Sequence, residues 1–184
     1  MGQGAGALVT GGQSADLART LIEQLTRRGE TLAVAESLTG GLVCAALTDV
    51  PGASLVLRGG VVSYATDLKA SALGVDAGLL AREGPVHADV AEQMAAGVGR
   101  WGDATWGLST TGVAGPGPTD GHPAGTVYVG VARVAAGEQT TAHRAFSFSG
   151  NRTAVRGASV KAALQEILRQ LDFTEPLGTR RTDR

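Results

Sequence analysis

Two residues of this 184-residue chain have the type and setting for amide or ester chemistry: Ser37 and Lys69. Ser37 lies in Glu36-Ser37-Leu38-Thr39-Gly40-Gly41, where a short apolar strand breaks off and an apolar helix begins. Such a junction gathers a hydroxyl and several unpaired backbone N–H groups at one point, where they can face a ligand. Lys69 is one of two lysines, with Lys161, set against fourteen arginines. Arginine replaces lysine wherever only positive charge is wanted, but not where the amine must lose its proton, because a guanidinium stays charged in proteins. A lysine kept in an arginine-biased chain is therefore a candidate general base.

Each of these residues also has a plain structural reading. Ser37 or Thr39 could cap the helix that follows; the alternative is a serine nucleophile, activated by a base and aided by N–H groups that receive the oxyanion. The surroundings are not a Gly-x-Ser-x-Gly elbow, since Ala35 and Thr39 hold the flanking places. Lys69 could be a solvated side chain on a short helix, or a base whose pKa is depressed by burial and by the helix N-terminus at Gly40-Gly41. None of the three histidines sits well for a triad: His87 opens a helix, His122 lies in a Gly/Pro loop and His143 in a hairpin. They lack metal-ligand spacing as well, and Lys161 reads as solvated. The stretch Ser109 to Pro118 leaves a strand for a loop rich in Gly and Pro. It is either a surface turn or a backbone wall that lets a phosphate or sugar come close, with a threonine hydroxyl aimed into a cleft.

These residues need elements to hold them. Leu17, Leu21, Ile22 and Leu25 have helical spacing, with Ser14 as N-cap and Gly29 as stop. Strands are expected at Thr31 to Ala35, Ser54 to Tyr64 and Ala104 to Ser109, the second with a bulge or close approach at Gly59-Gly60. Helices are expected at Gly40 to Leu47, Thr66 to Leu73, Ala77 to Arg82 and Asp89 to Trp101. Thr126 to Ala135 and Thr140 to Phe148 flank Ala136-Gly137-Glu138 at the spacing of an antiparallel hairpin. Asn151 to Leu171 forms a long closing helix. Helices interleaved with strands imply an α/β fold, a mixed sheet covered on both faces.

Length fits one domain with a substantial core, here residues 13–172, between an N-terminal arm (1–12) and a polar C-terminal tail (173–184). Hydrophobic content of 43% and charged content of 18% are those of an ordinary globular protein. A net charge of −1 offers no basic face for nucleic acid. The apolar runs are too short for a membrane span, and no signal peptide is legible, so a cytoplasmic setting is expected. The single cysteine, Cys44, among Val43, Ala45, Ala46 and Leu47, reads as a small buried hydrophobe, not part of a disulfide framework.

Taken together, several segments resemble the CinA C-terminal domain family, which includes stand-alone nicotinamide-nucleotide amidases. The matching pieces are Ala35-Glu-Ser-Leu-Thr-Gly-Gly41, Arg58-Gly-Gly-Val-Val-Ser-Tyr64 leading to Lys69, Thr111-Gly-Val-Ala-Gly-Pro116, Gly125-Thr-Val127 and Phe148-Ser-Gly-Asn-Arg152. They occur in family order over about Leu17 to Leu171. The resemblance implies a three-layer α/β/α sandwich with a mixed, mostly parallel sheet. It implies hydrolysis of the carboxamide of nicotinamide mononucleotide, a small-molecule nucleotide, to nicotinate mononucleotide and ammonia. It also implies a serine–lysine pair falling on Ser37 and Lys69, a nearby hydroxyl falling on Thr111, no metal or other cofactor, and a homodimer or other homo-oligomer.

On that reading Thr111 orients the pair or relays a proton, and N–H groups near Thr39, Gly40 and Gly41 hold the oxyanion. Substrate contacts are expected from Glu36, Gly112, Ala114 and Gly115, with phosphate, ribose or ring contacts from Arg58, Tyr64 and Arg152. Leu38 stands where many members have cysteine, and the loop Gly117 to Pro123 is less typical of the family. Larger members carry an N-terminal molybdopterin-binding-like domain, and its activities are not expected of these 184 residues. Two rivals to the amidase are a non-catalytic nucleotide-binding module and a competence-linked interaction protein of the same fold.

Overall fold

A computed structural model describes residues 12–175 apart from 136 and 137. The elements run α1 (Gly12–Arg28), β1 (Leu32–Glu36), α2 (Leu42–Thr48), β2 (Leu57–Val62), α3 (Thr66–Leu73), α4 (Ala77–Glu83), α5 (Ala88–Trp101), β3 (Trp106–Gly112), β4 (Thr126–Ala135), β5 (Glu138–Ser147) and α6 (Arg152–Asp172). The strands form one sheet in the order β2-β1-β3-β4-β5. β2, β1 and β3 are parallel, β4 is antiparallel to both neighbours, and β5 therefore shares the direction of β3. Four of five strands thus point one way in a mixed sheet, the α/β sandwich that was expected. Among the described residues no helix is long and apolar enough to cross a membrane.

Strand alternation divides the core. On β1, Leu32 and Val34 join the cluster formed with α1, α2 and α6, whose members include Leu21, Val43, Leu164 and Ile167. Ala33 and Ala35 face the opposite cluster, built on α3, α4 and α5 through Leu73, Leu79, Val90, Met94 and Val98. With a period of two, adjacent residues of a fully buried strand serve opposite layers. All five residues of β1 are buried, as a central parallel strand requires.

Several element ends differ from the sequence reading. Ser14 lies inside α1 and is no cap, because the helix already begins at Gly12. Residues 53–55 form a short 3-10 turn, so the second strand starts only at Leu57. The irregularity expected there is real: the β1–β2 register skips Arg58, and a Cβ on Gly60 would stand 2.3 Å from Cys44 Sγ. β3 runs on to Gly112, which makes Thr111 a strand residue and not the start of a loop. The helix after Ser37 begins at Leu42, two residues late, because Gly40 and Gly41 take positive φ of 59° and 95° and form a turn that an L side chain would strain. Of the arm expected at 1–12, residues 1–11 lie outside the described residues and Gly12 belongs to α1. Of the tail, 176–184 lie outside them, whereas the carbonyls of Thr174 and Glu175 are held by Arg28 and Arg133. Residues 136 and 137 of the hairpin turn are also outside.

Candidate active site

The C-terminal ends of β1, β2 and β3 lie side by side, where ligands settle in open α/β sheets. At the end of β1 the alternation that sorts the core also sorts the chemistry. Glu36 follows Leu32 and Val34 toward the α2 layer; Ser37, next in line, turns toward α3.

Glu36 is fully buried, and its carboxylate accepts three N–H groups at the start of α2: Gly41 and Val43 on Oε2 at 2.9 and 3.0 Å, and Cys44 on Oε1 at 2.9 Å. The cap expected from Ser37 or Thr39 is therefore supplied by Glu36 from within the strand. Thr39 instead shares a hydrogen bond with Thr110, Oγ1 to Oγ1 at 2.7 Å, and the N–H of Gly40 goes to Ser37 O at 3.1 Å. Two consequences correct the sequence reading. Glu36 does not face a ligand, and Gly40 and Gly41 cannot donate to an oxyanion, because their N–H groups are spent. Among the described residues the N–H groups of Leu38 and Thr39 are the turn's unpaired donors.

Lys69 comes from α3, where it shares a buried face with Leu73 one turn on. Its Nζ lies 3.1 Å from Ser37 Oγ and donates to Ser63 O at 2.7 Å. The side chain is 1% exposed, and burial alone lowers its pKa from 10.5 to about 8. Desolvation penalises an ammonium that has no carboxylate beside it. The solvated reading of Lys69 is thereby excluded. Burial is the cause of this shift.

A cavity of about 200 Å³ opens over the pair. Ser37, Leu38, Tyr64, Lys69, Thr111, Gly112, Ala114, Gly115 and Arg152 line it, together with Pro85, Val86, Thr119 and Asp120. Thr111 Oγ1 donates to Pro85 O at 2.7 Å, so its hydroxyl proton is engaged away from Ser37 and Lys69, contrary to a role in orienting them. Arg152, the first residue of α6, joins the rim: its Nη2 donates to Tyr64 Oη at 2.6 Å and its Nη1 to Gly115 O at 3.0 Å. Arg58 is not part of this assembly. It sits at the opposite end of β2, where Nε donates to Gly102 O at 2.9 Å. Thr39, Gly40 and Gly41 are not among the residues that line the cavity.

Sequence reasoning missed four participants. Ser63 anchors Lys69 through its carbonyl, and Ser37 N–H is held by Thr110 O at 3.0 Å. Asp120 is brought to the cavity by a tight turn in which Thr119 and His122 exchange backbone hydrogen bonds. Arg156 reaches the serine turn from α6, donating to Leu38 O and Thr39 O. Only Arg156 left a trace in the chain, one helical turn after Arg152. The other histidines are accounted for: His87 Nδ1 caps α5 and His143 pairs with Glu92. A larger cavity of about 540 Å³ between α4, α5 and β5 has no serine, cysteine or lysine among its lining residues.

Fold and site together define a three-layer α/β domain with a serine paired to a buried lysine at the sheet's C-terminal edge. Residues 14–171 match the family model for the CinA C-terminal domain. A CinA-like protein of Frankia casuarinae is 51% identical over 166 residues, covering 90% of this chain and 37% of the relative. A putative competence-damage inducible protein of Geobacillus kaustophilus is 46% identical over 150 residues, covering 82% and 36%. Among solved structures, the competence/damage inducible protein CihA from Agrobacterium tumefaciens superposes with a TM-score of 0.82 at 34% identity, covering 89% of this chain and 98% of the other. The chain belongs to the CinA C-terminal domain family. It spans under two-fifths of the length of these two curated relatives.

Proposed function

We propose that the domain is an amidohydrolase that converts nicotinamide mononucleotide to nicotinate mononucleotide and ammonia in the cytoplasm. The observation that carries this reading is a lysine amine, buried and without a carboxylate partner, 3.1 Å from a serine hydroxyl at a cavity floor. A lysine whose pKa lies near 8 is partly neutral at physiological pH and can accept the serine proton.

In this mechanism Ser37 Oγ attacks the carboxamide carbon as its proton passes to Lys69 Nζ. Ser63 O holds the amine in place. The carbonyl oxygen becomes an oxyanion and is received by unpaired backbone N–H groups, with Leu38, the cavity-lining residue of the serine turn, as the first donor. Collapse breaks the C–N bond, and Lys69 returns the proton to the leaving nitrogen, which departs as ammonia. Water then attacks the ester while Lys69 takes its proton, and Ser37 regains a proton as the acid is released. The substrate's phosphate fits the rim, where Arg152 and Tyr64 Oη stand at the N-terminus of a 21-residue helix. Thr111 is a wall of the cleft in this scheme and not a relay.

Ammonia release from nicotinamide mononucleotide by the purified protein tests the proposal. Ser37→Ala and Lys69→Arg are each expected to lower turnover by at least about 1000-fold with the fold intact by circular dichroism. Full activity of Lys69→Arg removes the base role, since arginine cannot deprotonate. A panel of amides with and without the nucleotide phosphate then reads the substrate class. Binding of the nucleotide without any turnover would favour a sensing module instead.

A further inference from the structure

An amidase of this kind needs donors fixed on the oxyanion, and the turn after Ser37 is short of regular structure to fix them. Its carbonyls are nonetheless all engaged. Ser37 O accepts the N–H of Gly40 at 3.1 Å, Leu38 O accepts Arg156 Nε at 3.1 Å, and Thr39 O accepts Arg156 Nη2 at 2.8 Å. Arg156 is half-buried on α6, more than a hundred residues along the chain, and makes no ion pair among the described residues. An arginine placed against backbone carbonyls, with no carboxylate to neutralise it, is serving those carbonyls.

The geometry of one peptide unit explains what it does for them. A trans peptide points its N–H opposite its C=O. Holding Leu38 O against the guanidinium therefore turns the N–H of Thr39 away from it. Rotation of that peptide by half a turn would exchange the two and put a carbonyl oxygen where a donor is needed. The N–H groups of Leu38 and Thr39 have no partner among the described residues, although the two residues are 3% and 0% exposed. Leaving such buried donors unpaired is unfavourable in a resting protein, so the turn must be held in place by other contacts.

We propose that Arg156 is a positioning residue: by holding the carbonyls of Leu38 and Thr39 it fixes the turn after Ser37, and with it the unpaired N–H groups offered to the oxyanion formed there. This inference rests on the serine–lysine reading of the site. It adds a third layer to that reading: the helix that carries Arg152 at the cavity rim also sets the donor geometry behind the nucleophile.

The test follows the rate at which a small alkyl fluorophosphonate modifies Ser37, read by intact mass, alongside turnover of nicotinamide mononucleotide. Arg156→Ala is expected to slow both modification and kcat by roughly tenfold to a hundredfold, with KM within about threefold of wild type. Guanidinium chloride at millimolar levels should restore part of the rate in Arg156→Ala but none in Lys69→Arg. Arg156→Lys should remain impaired, because a single ammonium cannot serve two carbonyls with a planar fork. Rates within twofold of wild type in Arg156→Ala overturn the inference. So does a rate loss that tracks a fall in melting temperature and does not respond to guanidinium. If wild-type Ser37 resists the probe, the nucleophile reading falls and takes this one with it. If Ser37 is modified but the nucleotide is inert, only the substrate is wrong, and the Arg156 comparison still reads out on the probe.

Discussion

Lys69 ties both activity and stability to pH. Its folded pKa, about 8, lies below the ordinary 10.5. Between those values the unfolded chain holds a proton that the folded chain lacks, so the folded state gains stability as pH rises through that window, by at most about 1.4 kcal/mol per pH unit. The catalytic form is the neutral amine, which grows in over the same range. Turnover should therefore rise with pH to a plateau, with an apparent pKa near 8 in kcat/KM. In thermal melts the wild type should gain on Lys69→Met between pH 7 and 10. A flat rate profile across pH 6–10, or a wild type that loses ground to Lys69→Met, would contradict the burial argument. The residue types that mark this pair were readable in the chain, since one of only two lysines among fourteen arginines asks for a chemical reason. The three-ångström approach was not, because 32 residues separate the partners.

At the level of elements, two contacts hold the pair at its separation. Glu36 fixes α2 by accepting three N–H groups, hydrogen bonds to a charged acceptor of the stronger kind. Glu36→Gln keeps the shape but turns one acceptor into a donor facing N–H groups. It should lower unfolding free energy by about 2–4 kcal/mol in urea titrations; a loss below about 0.5 kcal/mol would mean the cap is dispensable. The second contact seats α3 on α5, where a Cβ at Gly97 would stand 1.9 Å from Leu73 O, the carbonyl one turn beyond Lys69. Gly97→Ala must push α3 outward, since neither helix backbone can yield locally. The expected result is a stability loss of at least about 2 kcal/mol together with a fall in kcat, measured below the variant's melting temperature. Normal kcat in a destabilised Gly97→Ala protein would show that the lysine's position does not depend on this packing.

On the scale of the whole molecule, a second buried carboxylate lies at the other end of the sheet. Glu30 is 1% exposed and accepts from Arg28 Nε at 2.8 Å, Trp106 Nε1 at 2.8 Å and Arg133 Nη2 at 3.3 Å, joining the end of α1 to β3 and β4. Removing one partner of a buried ionic group strands the others, so Glu30→Ala should cost about 3–5 kcal/mol. The network is at the N-terminal edge of β1, remote from Ser37 at its C-terminal end. Turnover per folded molecule should therefore stay within about twofold of wild type. A selective loss of kcat in a well-folded Glu30→Ala protein would instead mean that the two ends of the sheet are coupled.

Much of this architecture was legible along the chain. Apolar spacing at Leu17 to Leu25, the β-branched runs, the hairpin flanks and the long closing helix are local signals, and local periodicity reports which face of an element is buried. Residue type and setting singled out Ser37 and Lys69, and the family resemblance singled out Arg152. Roles were decided elsewhere. Whether Glu36 meets a ligand or caps a helix depends on which side of β1 it faces at the strand's end. Arg58 and Arg152 look alike in sequence, but one lies at the start of β2 and the other at the cavity rim. Arg156 acquired a partner only when α6 folded back across the sheet onto the serine turn. Composition and periodicity act over a few residues; hydrogen bonds that span a hundred exist only after packing brings their ends together.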